Sequence, residues 1–292
     1  MIPVLAPPRS CSSLITAMLG QHPALYATAE LECFTADTIA GCLAFAQRVP
    51  VVTTHGLLRS VAQLLFGEQS NTSVTLALQW LQARQDWSGT ELVRWVEAQI
   101  APMRLLEKSP IHVLRRESLQ RLVVVAKNEP VLHLTRHPVT AMDSLMAAYR
   151  RGGRTLTPSE ALRVWVVGHL NILRWLETRS NHDALLVRSE DLIFDPEGQL
   201  SLVCNHLGVS TGPKEIAVMM QPEKGPYAFI GPSTARTGND PNWMAEPALR
   251  RRSTLSEAGA VRPALSQLWD QADLQPELVM QAVQIGWQLG YR

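Results

Sequence analysis

Short, wholly apolar runs alternate along the chain with longer stretches in which apolar residues recur every three or four positions. Ile2–Leu5 is the first run, and Pro7 and Pro8 stop it, so it reads as a buried strand. Leu14, Ile15, Met18 and Leu19 then share one side of a helix that Ser12 or Ser13 is placed to cap and Gly20 to end. The stretch HPALYATAELECF predicts a short extended piece, and a second helix starts near Thr35. From 57 to 100 the spacing is helical, with turns near GEQSN and DWSG and with Trp80, Trp87 and Trp95 among its apolar positions. Strands are predicted again in RLLEKSP, VLHLTRHP and ALLVRSEDL, with helices over about 116–125, 138–150, from Thr157 or Ser159 to 177, and over 196–207 with Gly208 as the stop. Residues 222–253 are rich in Gly, Pro, Ser and Asn and read as loop; 265–290 is helical again.

Strands alternating with helices predict an α/β fold, a central parallel sheet flanked by helices on both faces, with a mainly helical insertion at about 35–100 on the acceptor side. The expected organisation is a single domain over 1–292. Ligands in such folds bind at the carboxyl ends of the strands. Four predicted strand ends carry a cation to that edge: Arg9, Lys108, Arg136 and Arg188.

The net charge of +1 leaves no global field to draw nucleic acid or a membrane, so an anion must be held by a local site. The four cysteines lack metal-type pairing, which favours a reducing cytoplasm and no metal. No apolar run is long enough to cross a bilayer, and a strand beginning at Ile2 leaves no room for a removable leader.

The stretch APPRSCSSLI joins the first strand to the first helix. A helix N-terminus carries unpaired N–H groups and partial positive charge. Ser10, Ser12 and Ser13 add hydroxyls, and Arg9 adds a fork suited to phosphate or sulfate. The turn has the form of a P-loop-like phosphate cradle, yet no GxxxxGK[ST] is present. A plain capped helix with a surface arginine is the competing reading. In LTRHPVTAMDSL, Arg136 ends a strand and Ser144 lies eight residues on, two turns into the next helix, so both can reach one phosphate. The competing reading there pairs Arg136 with Asp143.

Taken together, PRSCSSLI, EKSP, LTRHPVTAMDSL and RSEDLIFDPEGQLSLVCNHLGV resemble the sulfotransferases that use 3′-phosphoadenosine 5′-phosphosulfate (PAPS) and release the bisphosphate PAP. The layout is most similar to the bacterial natural-product assembly-line branch, whose PPELH is echoed by ATAELE, and to the protein-tyrosine branch. The resemblance implies a 5′-phosphosulfate loop of Arg9, Ser10, Cys11, Ser12, Ser13 and Leu14, and a 3′-phosphate site of Arg136 and Ser144. Arg9 and Lys108 would stabilise charge on the leaving group, and Glu30 would be the base, with Glu32 and then His55 as rivals.

There are departures. Cys11 replaces a glycine, Ser189 replaces a tyrosine of the nucleotide site, and Glu32 stands where the assembly-line branch often has histidine. His137, Glu107 and the tryptophans read as structural, and Arg188 as a partner of Glu190 or Asp191. The late loop at 231–243, with Ser233, Arg236 and Asn242, reads equally as a nucleotide cover or an ordinary loop. The implied acceptor is a small-molecule or natural-product hydroxyl, carried on a protein in one version; a peptidyl tyrosine or sugar hydroxyl stays open. The rival functions are a magnesium-dependent P-loop-like kinase and a non-catalytic nucleotide-binding protein.

Overall fold

The computed structural model describes residues 1–49, 52–179, 183–249, 263–271 and 273–292. Among these, β1 (Ile2–Leu5), β2 (Leu25–Ala27), β3 (Arg104–Glu107), β4 (Val131–Thr135) and β5 (Ala184–Arg188) form one parallel sheet in the order β2-β3-β1-β4-β5. Strand β1 sits in the middle, with Ile2 opposite Leu106 and Val4 opposite Leu132. A central strand is covered on both faces, which is why Ile2–Leu5 is apolar throughout instead of alternating.

The two-residue period sends neighbouring side chains to opposite layers. Ile2, Val4, Leu106, Leu132 and Leu134 pack against α1 (Ser12–Leu19) and the later helix 196–207. Leu5, Leu105 and Val131 face the other layer, which the helices within 55–126 and Ile172 and Trp175 supply. Between β2 and β3 run α2 (Ile39–Arg48), α3 (His55–Phe66), α4 (Asn71–Gln82) and α5 (Gly89–Ile100), which form the helical insertion. Ser70 and Ser88 close capping boxes on α4 and α5, in the two turns read from the sequence.

After β3 come α6 (Pro110–Val113) and α7 (Arg116–Ala126), and after β4 come α8 (Pro138–Arg151) and α9 (Pro158–Glu177). A third apolar cluster joins α8 and α9 to the C-terminal helix: Val139, Met142, Leu145, Trp165, Leu278 and Val279 meet there. Inside the sheet face, His133 hydrogen-bonds His169 at 2.9 Å, and His169 reaches Thr135 at 3.1 Å. Burial drives the His133 imidazole down to about 3, so this polar run lashing α9 to β4 is neutral.

Three boundaries differ from expectation. Helix α2 starts at Ile39 because Thr38, not Thr35, accepts the amide of Gly41 as cap. Neither Ser12 nor Ser13 caps α1: the cap position is Cys11, without a side-chain bond, and both serines lie in the first helical turn. The C-terminal stretch is not one helix. A 3₁₀ turn at Leu265–Leu268 is separate from a helix at Pro276–Gln288, since Pro276 can begin a helix but not continue one. Residues 222–249 are loop apart from short turns and the helix Pro241–Ala245; 250–253 lie outside the described residues.

Candidate active site

The strand order brings the carboxyl ends of β3, β1 and β4 side by side, and with them Lys108, Arg9 and Arg136. Strand β5 is outermost, and there Arg188 is spent on Asp191 at 2.7 Å and the carbonyl of Gly290 at 2.9 Å. Three of the four strand-end cations therefore converge, and the fourth is a structural tie.

Between β1 and α1 the backbone makes a strained turn. Arg9 and Cys11 both take left-handed conformations, at φ 74° and 54°. That region is uncommon for residues with a Cβ and recurs where a turn is functionally constrained. The chain then enters the helix at Ser12, with Ile15 making the first helical bond to the carbonyl of Cys11. The amides of Ser12, Ser13 and Leu14 consequently have no helical partner. The hydroxyl of Ser10 is buried without a partner among the described residues. Burial raises the Cys11 thiol, partly offset by the charge of nearby Arg136.

Lys108 is buried behind this turn, and its ammonium donates to Glu30 at 2.5 Å, Asn239 at 2.9 Å and Ser13 at 3.2 Å. Arg9 donates to the hydroxyl of Ser144 at 3.0 Å and pairs with Asp240 at 2.6 Å. Ser144 of α8 and Arg9 of the first turn thus meet across 135 residues of sequence. Arg136 bonds Thr140 at 3.1 Å, not Asp143, and makes no ion pair with a described residue. Ser189 joins the two halves from below: its hydroxyl is shared between the carbonyls of Thr135 at 2.7 Å and Ser10 at 3.0 Å.

A hollow of about 330 Å³ opens in front of these groups. Its lining includes Arg9, Cys11, Ser12, Ser13 and Asp240, the apolar side chains of Val52, Ile111, Leu114, Leu145 and Val164 with Tyr149, and the two acids Glu30 and Glu32. Burial, then the charge of Glu30, pushes the Glu32 carboxyl up to about 9, so it is an uncharged acid at neutral pH. His55 lines a different hollow, with Leu43, Gln47 and Leu58. Its Nδ1 accepts the amide of Thr237 at 3.3 Å and meets that residue's hydroxyl at 2.7 Å. Burial and Arg59 lower it.

His137 and Glu107 are engaged by other groups of the chain. Glu190 accepts the amide of His137 at 2.8 Å, and Glu107 accepts from Ser109 at 2.5 Å. Trp80 packs on Trp95 and Trp87, away from the hollow.

The late loop lines the hollow, but through residues other than those singled out. Ser233 bonds Asn71 on α4, and Arg236 and Asn242 are exposed. The residues at the hollow are Thr237, Gly238, Asn239 and Asp240. Gly238, at φ 115°, lies close against Gly56 and accepts the amide of Glu30 at 2.8 Å, which pins the loop to the acidic segment. The sequence reads here only as loop; nothing local says that the side chains of Asn239 and Asp240 return to Lys108 and Arg9.

A parallel sheet ordered around β1, with a bare helix N-terminus and clustered cations at one edge, is an α/β arrangement suited to holding an anion. Residues 2–213 match the model of the sulfotransferase family, and the chain belongs to that family. Among solved structures, the sulfotransferase domain from the curacin biosynthetic pathway superposes with a TM-score of 0.75 at 24% identity, covering 100% of this chain and 98% of that one. The sulfotransferase domain of the Synechococcus PCC 7002 olefin synthase gives 0.73 at 24%, covering 100% and 94%. Mouse sulfotransferase SULT7A1 complexed with PAP gives 0.50 at 11%, covering 99% and 82%. These structures share the fold. No curated protein matches the chain.

Proposed function

We propose that the chain is a single-domain PAPS-dependent sulfotransferase that passes a sulfuryl group to the hydroxyl of a small-molecule or natural-product acceptor, free or carried on a protein. The observation that carries this reading is the bond between Arg9 and Ser144, with Arg136 close enough to act on Cys11. It joins the two stretches that would grip opposite ends of one nucleotide. The residues present suit the donor. The unspent amides of Ser12, Ser13 and Leu14, the free hydroxyl of Ser10 and the guanidinium of Arg9 fit a 5′-phosphosulfate. Arg136, without an ion pair among the described residues, and Ser144 fit a 3′-phosphate. Natural-product pathways supply two of the structural neighbours, which supports that acceptor class. The free cysteines support a reducing cytoplasmic setting.

When bound, the donor supplies an SO₃ unit on a good leaving group; this chain supplies position and charge. Glu30 is the base: its carboxylate faces the hollow, whereas Glu32 is held protonated and His55 faces elsewhere. Glu30 also holds Lys108. A proton taken from the acceptor neutralises Glu30 and loosens that ion pair. The ammonium of Lys108 then has a donor N–H to offer where charge is building on the leaving oxygen. Base and electrophile are thereby coupled through one contact.

The test is transfer of labelled sulfate from PAPS across a panel of aliphatic alcohols, phenols, sugars and a tyrosine peptide. Labelled product in any arm supports the reading and names the class. Tight binding of PAP with no transfer in any arm would turn the protein into a nucleotide binder.

A further inference from the structure

Arg136 leaves the sheet where the backbone is fastened on both sides. Its guanidinium hydrogen-bonds only Thr140 among the described residues, so its aim depends on the two peptide planes that meet at its Cα. Ser189 holds the plane before it, donating its hydroxyl to the carbonyl of Thr135 at 2.7 Å. The plane after it is held at both polar ends: the indole N–H of Trp165 donates to the carbonyl of Arg136 at 2.8 Å, and Glu190 accepts the amide of His137 at 2.8 Å. Glu190 is buried, and its other carboxyl oxygen accepts the phenol of Tyr291 at 3.1 Å. Tyr291 lies beyond the helix Pro276–Gln288 and is itself buried. Gly290, at φ 78°, turns the chain there: its amide bonds the carbonyl of Trp287 at 3.0 Å, and the amide of Tyr291 bonds that of Gly286 at 2.9 Å. Arg188 donates to the carbonyl of Gly290 at 2.9 Å, and the Tyr291 ring stands edge to face with His137.

We propose that Tyr291 is a positioning residue for Arg136: its phenol holds Glu190, Glu190 holds the peptide between Arg136 and His137, and that peptide sets the direction in which Arg136 meets an anion. This rests on the sulfotransferase reading above, in which the anion is the 3′-phosphate of the donor. Tyr291 does not line the hollow, so it acts only through this relay. Burial raises the Glu190 carboxyl, and the amides of His137 and of Glu190 itself, the phenol and the charge of Arg136 act against that. Burial and the charge of Glu190 keep Tyr291 protonated, so its O–H is the donor. Without the phenol the carboxyl takes up a proton or turns to another donor, and either change weakens its charge-assisted hold on the His137 amide.

The test titrates PAP and 5′-AMP, which is PAP without its 3′-phosphate, into the wild-type protein, Tyr291→Phe, Glu190→Gln and the double variant. Tyr291→Phe is expected to raise the Kd of PAP about fivefold or more with that of 5′-AMP changed less than about twofold, as fits a loss confined to one phosphate contact. Glu190→Gln should do the same, and the double variant should lose no more than the larger single loss, because the two side chains form one relay. A general loosening of the fold would weaken both nucleotides together, and that result overturns the proposal. So does a Tyr291→Phe protein that keeps the wild-type preference for PAP, or a double variant whose losses simply multiply. In each of these cases a wild-type preference for PAP leaves the sulfotransferase reading standing. A wild-type protein that does not distinguish PAP from 5′-AMP sinks both.

Discussion

Asp240→Asn should tighten the binding of PAP. Asp240 places a full negative charge on the guanidinium of Arg9, at 2.6 Å, at the edge of a cradle that has to receive an anion. A phosphate seated on the same guanidinium would sit about 5 Å from that carboxylate. At an effective dielectric of about 20, two unit charges at that distance repel by about 3 kcal/mol. The two side chains are 13% and 23% exposed, so water and a small shift of the loop relieve part of this. A gain of about 1–2 kcal/mol remains, roughly five- to thirtyfold in Kd. Asparagine is the right substitute because Asp240 also accepts the amide of Asn242 at 2.9 Å to start the helix at Pro241, and the amide oxygen of asparagine keeps that cap. Calorimetric titration of PAP at two salt concentrations measures the effect, which should shrink at the higher one. Weaker binding by Asp240→Asn at both salts would refute the reasoning: the carboxylate would then be holding Arg9 in place for the donor.

Other outcomes follow from the same geometry. Arg136→Ala should raise the Kd of PAP by at least about tenfold, since a charge-assisted phosphate contact is worth roughly 1.5–3 kcal/mol; fluorescence titration reads it. Glu30→Gln should cut kcat by about 10²-fold or more in the labelled-sulfate assay, with the Kd of PAP changed little. Activity should survive EDTA; strict loss would favour the kinase reading. Acid should destabilise the fold through its buried histidines. The imidazoles of His133 and His137 are depressed from 6.5 to about 3 and about 4, so the unfolded chain binds protons first as pH falls. Their contribution is intact above 6.5 and is lost on the way down towards those values, at about 1.4 kcal/mol per pH unit for each. Urea midpoints between pH 7 and 4.5 would show it, and His133→Gln should flatten the slope.

The fold was readable because its signals are local. Each strand of the sheet is a short apolar run that ends at a cation or a turn, and Ser70, Ser88 and Thr157 announce helices by capping boxes four residues long. The site was readable only where chemistry sits next to an element boundary, as for Arg9, Ser13, Lys108 and Arg136. Asn239 and Asp240 were missed because they reach Lys108 and Arg9 across 131 residues and more, through a loop whose path depends on a close approach of two glycines. The choice between Glu30 and Glu32 was equally out of reach. Two-residue spacing suggests a shared face on a strand, but the left-handed backbone at Glu32 breaks that alternation, and burial holds the Glu32 carboxyl uncharged.

The shared hydroxyl of Ser189 has a consequence for what the protein can measure. By tying the carbonyl of Ser10 to that of Thr135, it sets the span between the turn after β1 and the end of β4, where the two proposed anion grips lie. The molecule then works as a calliper of set opening. On the proposed function, a nucleotide with phosphates at both ends of its ribose would bridge the jaws, and one lacking the 3′ group would engage a single jaw.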